Sequence, residues 1–117
     1  MRNRDIDNDQ PMLVYVTTDS SDEAIGIGEA LVADRLVACA NIIPGMFSVY
    51  EWQGEVCHGE ETVLIVKTRR SLVPDVTRRI QDLHGYDCPC VVALPIEGGN
   101  PEFLSWIVDQ TERTQMA

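Results

Sequence analysis

The chain is short of positive charge. Over 117 residues, 9 Lys and Arg stand against 19 Asp and Glu, a formal net charge of −10. Binding to nucleic acid or to an anionic membrane rests on clustered cations meeting phosphates, so this balance argues against both as partners. No apolar run approaches the ~20 residues of a bilayer span. The first ten residues are polar throughout and lack the apolar centre of a secretory signal. A cytoplasmic location is therefore expected. The four cysteines, Cys39, Cys57, Cys88 and Cys90, are then expected as thiols, since the cytosol keeps them reduced. Also missing are a Walker loop, an HExxH zinc motif and a nucleophile elbow. Gly26-Ile27-Gly28 opens like a dinucleotide fingerprint, but Leu31 stands where the third glycine belongs, and the glycines fall inside a helical stretch. With no readable nucleophile–base pair, no enzymatic activity is expected.

What is present reads as one globular domain. Hydrophobic residues make up 44%, too many for a disordered chain. Residues 11–112 are read as that domain, between a polar N-terminal tail (1–10) and a short C-terminal tail (113–117). Residues 12–17 form a β-rich run. Asp19, Ser20 and Ser21 then offer N-cap chemistry, with Asp22 and Glu23 in the first turn of a helix to about Asp34. Leu72, Val76, Ile80 and Leu83 make one apolar helical stripe, capped by Ser71 and ended by Gly85. On its other side, Asp75 with Arg79 and Arg78 with Asp82 have ion-pair spacing. Residues 91–96 form a further strand. Asn100 and Pro101 open a last helix carrying Phe103, Leu104, Ile107 and Val108. The order predicts an α+β, ferredoxin-like β-α-β-β-α-β plan with an extra C-terminal helix.

The long stretch 36–52 sets the oligomer question. Its 17 residues would span about 55 Å if extended, while a compact domain of this length is about 35 Å across. The stretch must bend at Pro44-Gly45 or project. A turn at Gln53-Gly54 returns the chain through 60–69 as a long hairpin. Phe47 and Val49 face one way; Met46, Tyr50 and Trp52 face the other. An antiparallel sheet packed on one side by helices leaves its other side to water. Here that second side is apolar, so a partner is expected, and homo-oligomerisation follows.

Chemistry-bearing residues concentrate in the loop Leu83 to Cys90, which holds His84, Tyr86, Asp87, Cys88 and Cys90. Thiolate and imidazole suit copper or zinc. Cys88-Pro89-Cys90, however, is a CxC and not the CxxC of structural zinc sites, and two small residues at a strand start remain the plainer reading. Cys57-His58 lies among Glu55, Glu60 and Glu61, either a weak cation site or a solvated hairpin tip. Cys39, between small residues, reads as core. Lys67, the only lysine, stands with Arg69, Arg70, Arg78 and Arg79 in a cationic island. That island suits an anion at a helix start or ion pairing between subunits.

Taken together, several segments resemble the CutA family of divalent-cation tolerance proteins. They are Leu36 to Gly45, Ser48 to Glu55, Glu61, Lys67-Thr68-Arg69, His84-Gly85-Tyr86, Pro89, Ala93 to Ile96, and Leu104-Ser105-Trp106. The resemblance covers about residues 12–111. It implies a ferredoxin-like homotrimer in which long hairpins cross-pair between subunits, a role in divalent metal-ion tolerance, weak copper binding, no required cofactor and no catalysis. It also implies intersubunit clefts lined by Tyr50, Trp52, Lys67, His84, Tyr86 and Trp106. The expected metal ligands are His84 with Cys90 or Cys88. Two departures fall on that loop: Gly85 stands where the family commonly has proline, and Cys90 where it commonly has glutamate. A thiol for a carboxylate favours softer ions. The alternative expectation is a PII-like sensor trimer, with a small anion held in the clefts by Lys67.

Overall fold

A computed structural model of the chain describes residues 9–112, so most of both expected tails lies outside the described residues. Asp9 and Gln10 already bond to the domain. Asp9 pairs with Arg69 at 3.4 Å, and the Gln10 side-chain amide donates to the Ile96 carbonyl at 2.8 Å.

Strand β1 (Pro11–Thr18) leads to helix α1 (Ser21–Ala33), then β2 (Cys39–Trp52), β3 (Glu55–Arg69), helix α2 (Val73–Leu83), β4 (Val91–Pro95) and helix α3 (Pro101–Gln110). The strands form one antiparallel sheet in the order β2-β3-β1-β4. This is the ferredoxin-like plan with its extra helix, as the sequence led us to expect.

Local signals set most element ends. The Ser20 hydroxyl accepts from the Glu23 N–H at 3.1 Å, and the Glu23 carboxylate reaches back to the Asp19 N–H at 3.0 Å, a near relative of the capping box. Helix α1 stops in a Schellman arrangement. Leu36 N–H bonds to the Leu31 carbonyl and Arg35 N–H to that of Val32, with Arg35 in the left-handed region at φ 59°. Asn100 caps α3 by accepting from the Glu102 N–H at 3.1 Å. Ser71 does not cap α2. A 3₁₀ turn (Arg70–Leu72) intervenes, Leu72 takes the N-cap position, and Ser71 instead accepts from Arg69 at 3.1 Å. Had Ser71 been the cap, Pro74 would have occupied the third helical position and offered no N–H. The ion pairs of α2 also differ from their spacing: Arg78 meets Asp75 at 3.0 Å, and Arg79 reaches Asp34 at the end of α1, 3.2 Å away.

The core lies between α1, α2 and one sheet face. Val14, Val16, Leu64 and Val66 from the central strands meet Ala24, Ile27 and Leu31 of α1 and Val76 and Ile80 of α2. Burying each larger side chain contributes about 1.5–3 kcal/mol. Gly28 belongs to this packing: a Cβ there would lie 2.9 Å from the Ala40 Cβ. The glycine lets α1 lie directly on β2. Gly26 is exposed, and a Cβ there would meet nothing.

The opposite sheet face meets α3, which lies against β1 and β3 with Ile107 and Val108 buried, and is otherwise open. Its rungs are Cys39–Lys67–Leu13–Leu94 and Asn41–Ile65–Tyr15–Val92. At Pro44-Gly45 β2 carries one more residue than β3, between the pairs Ile43–Val63 and Met46–Glu61, with Gly45 at φ 79°. This bulge reverses the parity of β2. Odd residues face the open side before it, and Met46, Ser48, Tyr50 and Trp52 do so beyond it. The turn has two residues at positive φ, Gln53 (51°) and Gly54 (82°), as a type I′ hairpin requires. Strand β3 starts straight after it, so Cys57 and His58 lie within a strand, opposite Tyr50 and Val49, and not in a turn. The arm projects: the chain measures 56 × 32 × 22 Å with a radius of gyration of 15.5 Å, against about 13 Å for a compact chain of this length.

The two helical glycines should separate under substitution. Gly28→Ala is expected to destabilise the fold by about 1–2 kcal/mol, because Ala40 cannot move aside. Gly26→Ala should stabilise it by about 0.5–1 kcal/mol. Urea denaturation of both variants checks the pair, and equal shifts would contradict the close approach of α1 to β2.

Candidate functional site

The loop from His84 to Cys90 joins α2 to β4 and is pinned at its start by a buried imidazole. The His84 side chain has no exposed surface. Its Nε2 lies 2.7 Å from the Thr17 carbonyl, and its Nδ1 accepts the Tyr86 N–H at 3.0 Å. These partners place the proton on Nε2, and both ring nitrogens are engaged. Glu23 holds the next residue, accepting the Gly85 N–H at 2.8 Å. A proline at position 85 would have no such donor.

Tyr86 carries the loop across to the base of the arm. Its hydroxyl donates to Glu61 Oε2 at 2.9 Å, while Ser48 donates to Glu61 Oε1 at 2.6 Å. One carboxylate thereby ties β2, β3 and the loop together, and the His84 and Tyr86 rings meet at a tilt of 50° with centroids 4.6 Å apart. Burial holds the Tyr86 phenol well above its ordinary range, reinforced by the hydrogen bond to Glu61 and by the charges of Glu61, Asp19 and Glu23.

The remaining expected site residues are spread over the open side. The Lys67 ammonium donates to Asn41 Oδ1 at 2.6 Å and lies 3.8 Å from Cys39 Sγ. Cys39 is thus half-exposed on the open face, not core. Tyr50 and Trp52 stand on the arm, and Trp106 lies on α3 against Phe103 at 5.4 Å. Cys88 and Cys90 are free and exposed. Among the described residues, no group of three or more His, Cys, Asp or Glu is arranged to hold a metal. Two exposed thiols flanking a proline suit a soft, weakly held ion and not a closed cage. Sequence reasoning passed over Ser48, Glu23 and Asn41 as site residues and placed Glu61 only beside Cys57-His58 and in the family resemblance, because each acquires its partner only through strand register or loop packing.

A family profile described as CutA1 divalent ion tolerance protein matches residues 12–110. The chain belongs to the CutA1 family. The divalent-cation tolerance protein CutA of Thermus thermophilus is 46% identical over 85% of this chain and 96% of its own length. The chloroplastic CutA of Arabidopsis thaliana is 42% identical over 86% of this chain, which spans 55% of that longer protein. Among solved structures, the Thermus thermophilus CutA1 superposes with a TM-score of 0.84 at 44% identity, covering 87% of this chain and 99% of the other. Within this CutA1 fold the described helices include none long and apolar enough to cross a membrane.

The Tyr86–Glu61 bond has a pH signature. Because the phenol is held protonated in the folded state, its contribution is complete below the ordinary tyrosine value of about 10. It is lost as pH rises from there towards the raised value. Alkaline titration of phenolate absorbance should show a late-ionising component that is absent in Tyr86→Phe, a variant expected to cost about 1–2 kcal/mol. A late component that persists in Tyr86→Phe would contradict the arrangement.

Proposed function

We propose that this CutA1-family chain acts as a homotrimeric, non-catalytic binding protein of the cytoplasm in divalent-cation tolerance, holding copper weakly. The metal role is supported by membership of a family described by divalent ion tolerance. The observation that carries the assembly is the open apolar side of the sheet. Ile43, Val92 and Leu94 are exposed there beside Tyr50 and Trp52, and Phe47 on the arm's other face is 80% exposed. An apolar surface of this continuity is covered when the protein works.

The sheet edges suggest how. Strands β2 and β4 are unlike edges at opposite ends of the sheet. Pairing the edge of one copy with the other edge of the next is a heterologous contact, and where its rotation closes on three copies the ring leaves no free edge. A shallow apolar groove lined by Ile25, Gly28, Val32, Ala40 and Ile42 runs along the β2 side and extends the surface such a neighbour covers. In this reading Cys88 and Cys90 supply soft donors for copper, and His84, bonded on both nitrogens, holds their loop in place. A small anion in an intersubunit cleft is a second reading, favoured by Lys67 standing on the open face.

Cu(I) titration of the reduced protein tests the metal claim. Cys88→Ser and Cys90→Ser should each lose most of the affinity, while Cys57→Ser keeps it. Equal affinity in all three variants and the parent would remove this loop from copper binding.

A further inference from the structure

We propose that Cys39 and Lys67 form a reversible covalent link under peroxide, in which the oxidised thiol is captured by the lysine amine as a sulfur–nitrogen bond. The inference does not depend on copper. The two residues are direct register partners on β2 and β3, so the sheet holds their backbones side by side. Lys67 Nζ lies 3.8 Å from Cys39 Sγ and is anchored by Asn41 Oδ1 at 2.6 Å, two residues along on the same face. Within a single chain both side chains are half-exposed. Cys39 is a free thiol, and Lys67 is the only lysine of the chain. No other cysteine can have a lysine neighbour within one chain.

The chemistry balances in two steps. Peroxide transfers one oxygen to the Cys39 thiol: the O–O bond breaks, sulfur is oxidised by two electrons to a sulfenic acid, and one water leaves. The Lys67 ammonium releases a proton to solvent, and its nitrogen lone pair attacks sulfur. The S–O bond breaks, the S–N bond forms, and a second water leaves. The product is two hydrogen atoms lighter than the reduced protein. A dithiol reductant reverses it, returning thiol and amine while itself becoming a disulfide. In the linked state the start of β2 is fastened covalently to β3, and the chain's only lysine charge is removed from the open face.

The single lysine makes the test clean. The full-length reduced protein is treated with hydrogen peroxide, then acylated at free amines, digested and mapped by mass spectrometry, before and after dithiothreitol. A companion carrying Cys57→Ser, Cys88→Ser and Cys90→Ser leaves Cys39 as its only thiol, and the parent protein gives the same map should that companion fold poorly. The expected result is a peptide joining Cys39 to Lys67, two hydrogens lighter than its parts, with Lys67 acylation lost on oxidation and regained on reduction. Lys67→Arg and Cys39→Ser should show neither. If Cys39 gains only oxygen atoms while Lys67 stays fully acylated, the link does not form and the proposal is overturned.

Discussion

The constraint on which this structure turns is that a four-stranded sheet has two apolar sides, one filled by α1 and α2 and the other met by α3 alone. Helices α1 and α2 bury Val14, Val16, Leu64 and Val66 and use up one side. The other side continues along an arm that reaches past any helix, and there Trp52 is 64% exposed. Such a surface costs free energy in water at about 25 cal/mol per Å² of apolar area. Nothing else among the described residues lies over the arm's tip. The proposed assembly follows from this cost, and the free β2 and β4 edges give it a direction.

The candidate site grows from the same geometry. Where the arm leaves the body, Glu61 takes hydrogen bonds from Ser48 and Tyr86, so the arm and the loop of Cys88 and Cys90 are set against each other. The buried His84 holds the other end of that loop to β1 through Thr17. The imidazole therefore positions the loop, while the exposed thiols are the groups a soft ion can reach. Charge adds a diffuse contribution. A chain carrying −10 attracts cations from a distance, and the proposed assembly would multiply that field. Against this background Lys67 stands out as one cation on the open face, paired with a thiol.

Periodicity and cap chemistry made the elements legible in the sequence because both are local. The stripe of Val76 and Ile80, the cap at Ser20 and the Asn100-Pro101 start of α3 each rest on residues within one helical turn. What was not legible depends on register. The extra residue at Pro44-Gly45 decides that Tyr50 and Trp52 share a face with Cys39 and Asn41, and no composition rule carries that parity. Cys39 looked like core from its small neighbours, yet its rung places it beside Lys67. Cys57 and His58 looked like a turn because acids surround them, yet the I′ turn at Gln53-Gly54 starts β3 before they are reached. Ser71 looked like a cap, yet a 3₁₀ turn moves the helix start past it and its hydroxyl accepts from Arg69. The resemblance of the motifs to CutA reached further than local signals, because it covers nearly the whole chain at once.

The most direct test of the central claim is the solution mass of the protein, measured by multi-angle light scattering across a range of concentrations. The account requires a species of three times the 13.1 kDa chain mass that persists on dilution. A stable, well-folded monomer at micromolar concentration would contradict it, because the open sheet face and the arm would then stand in water without a partner.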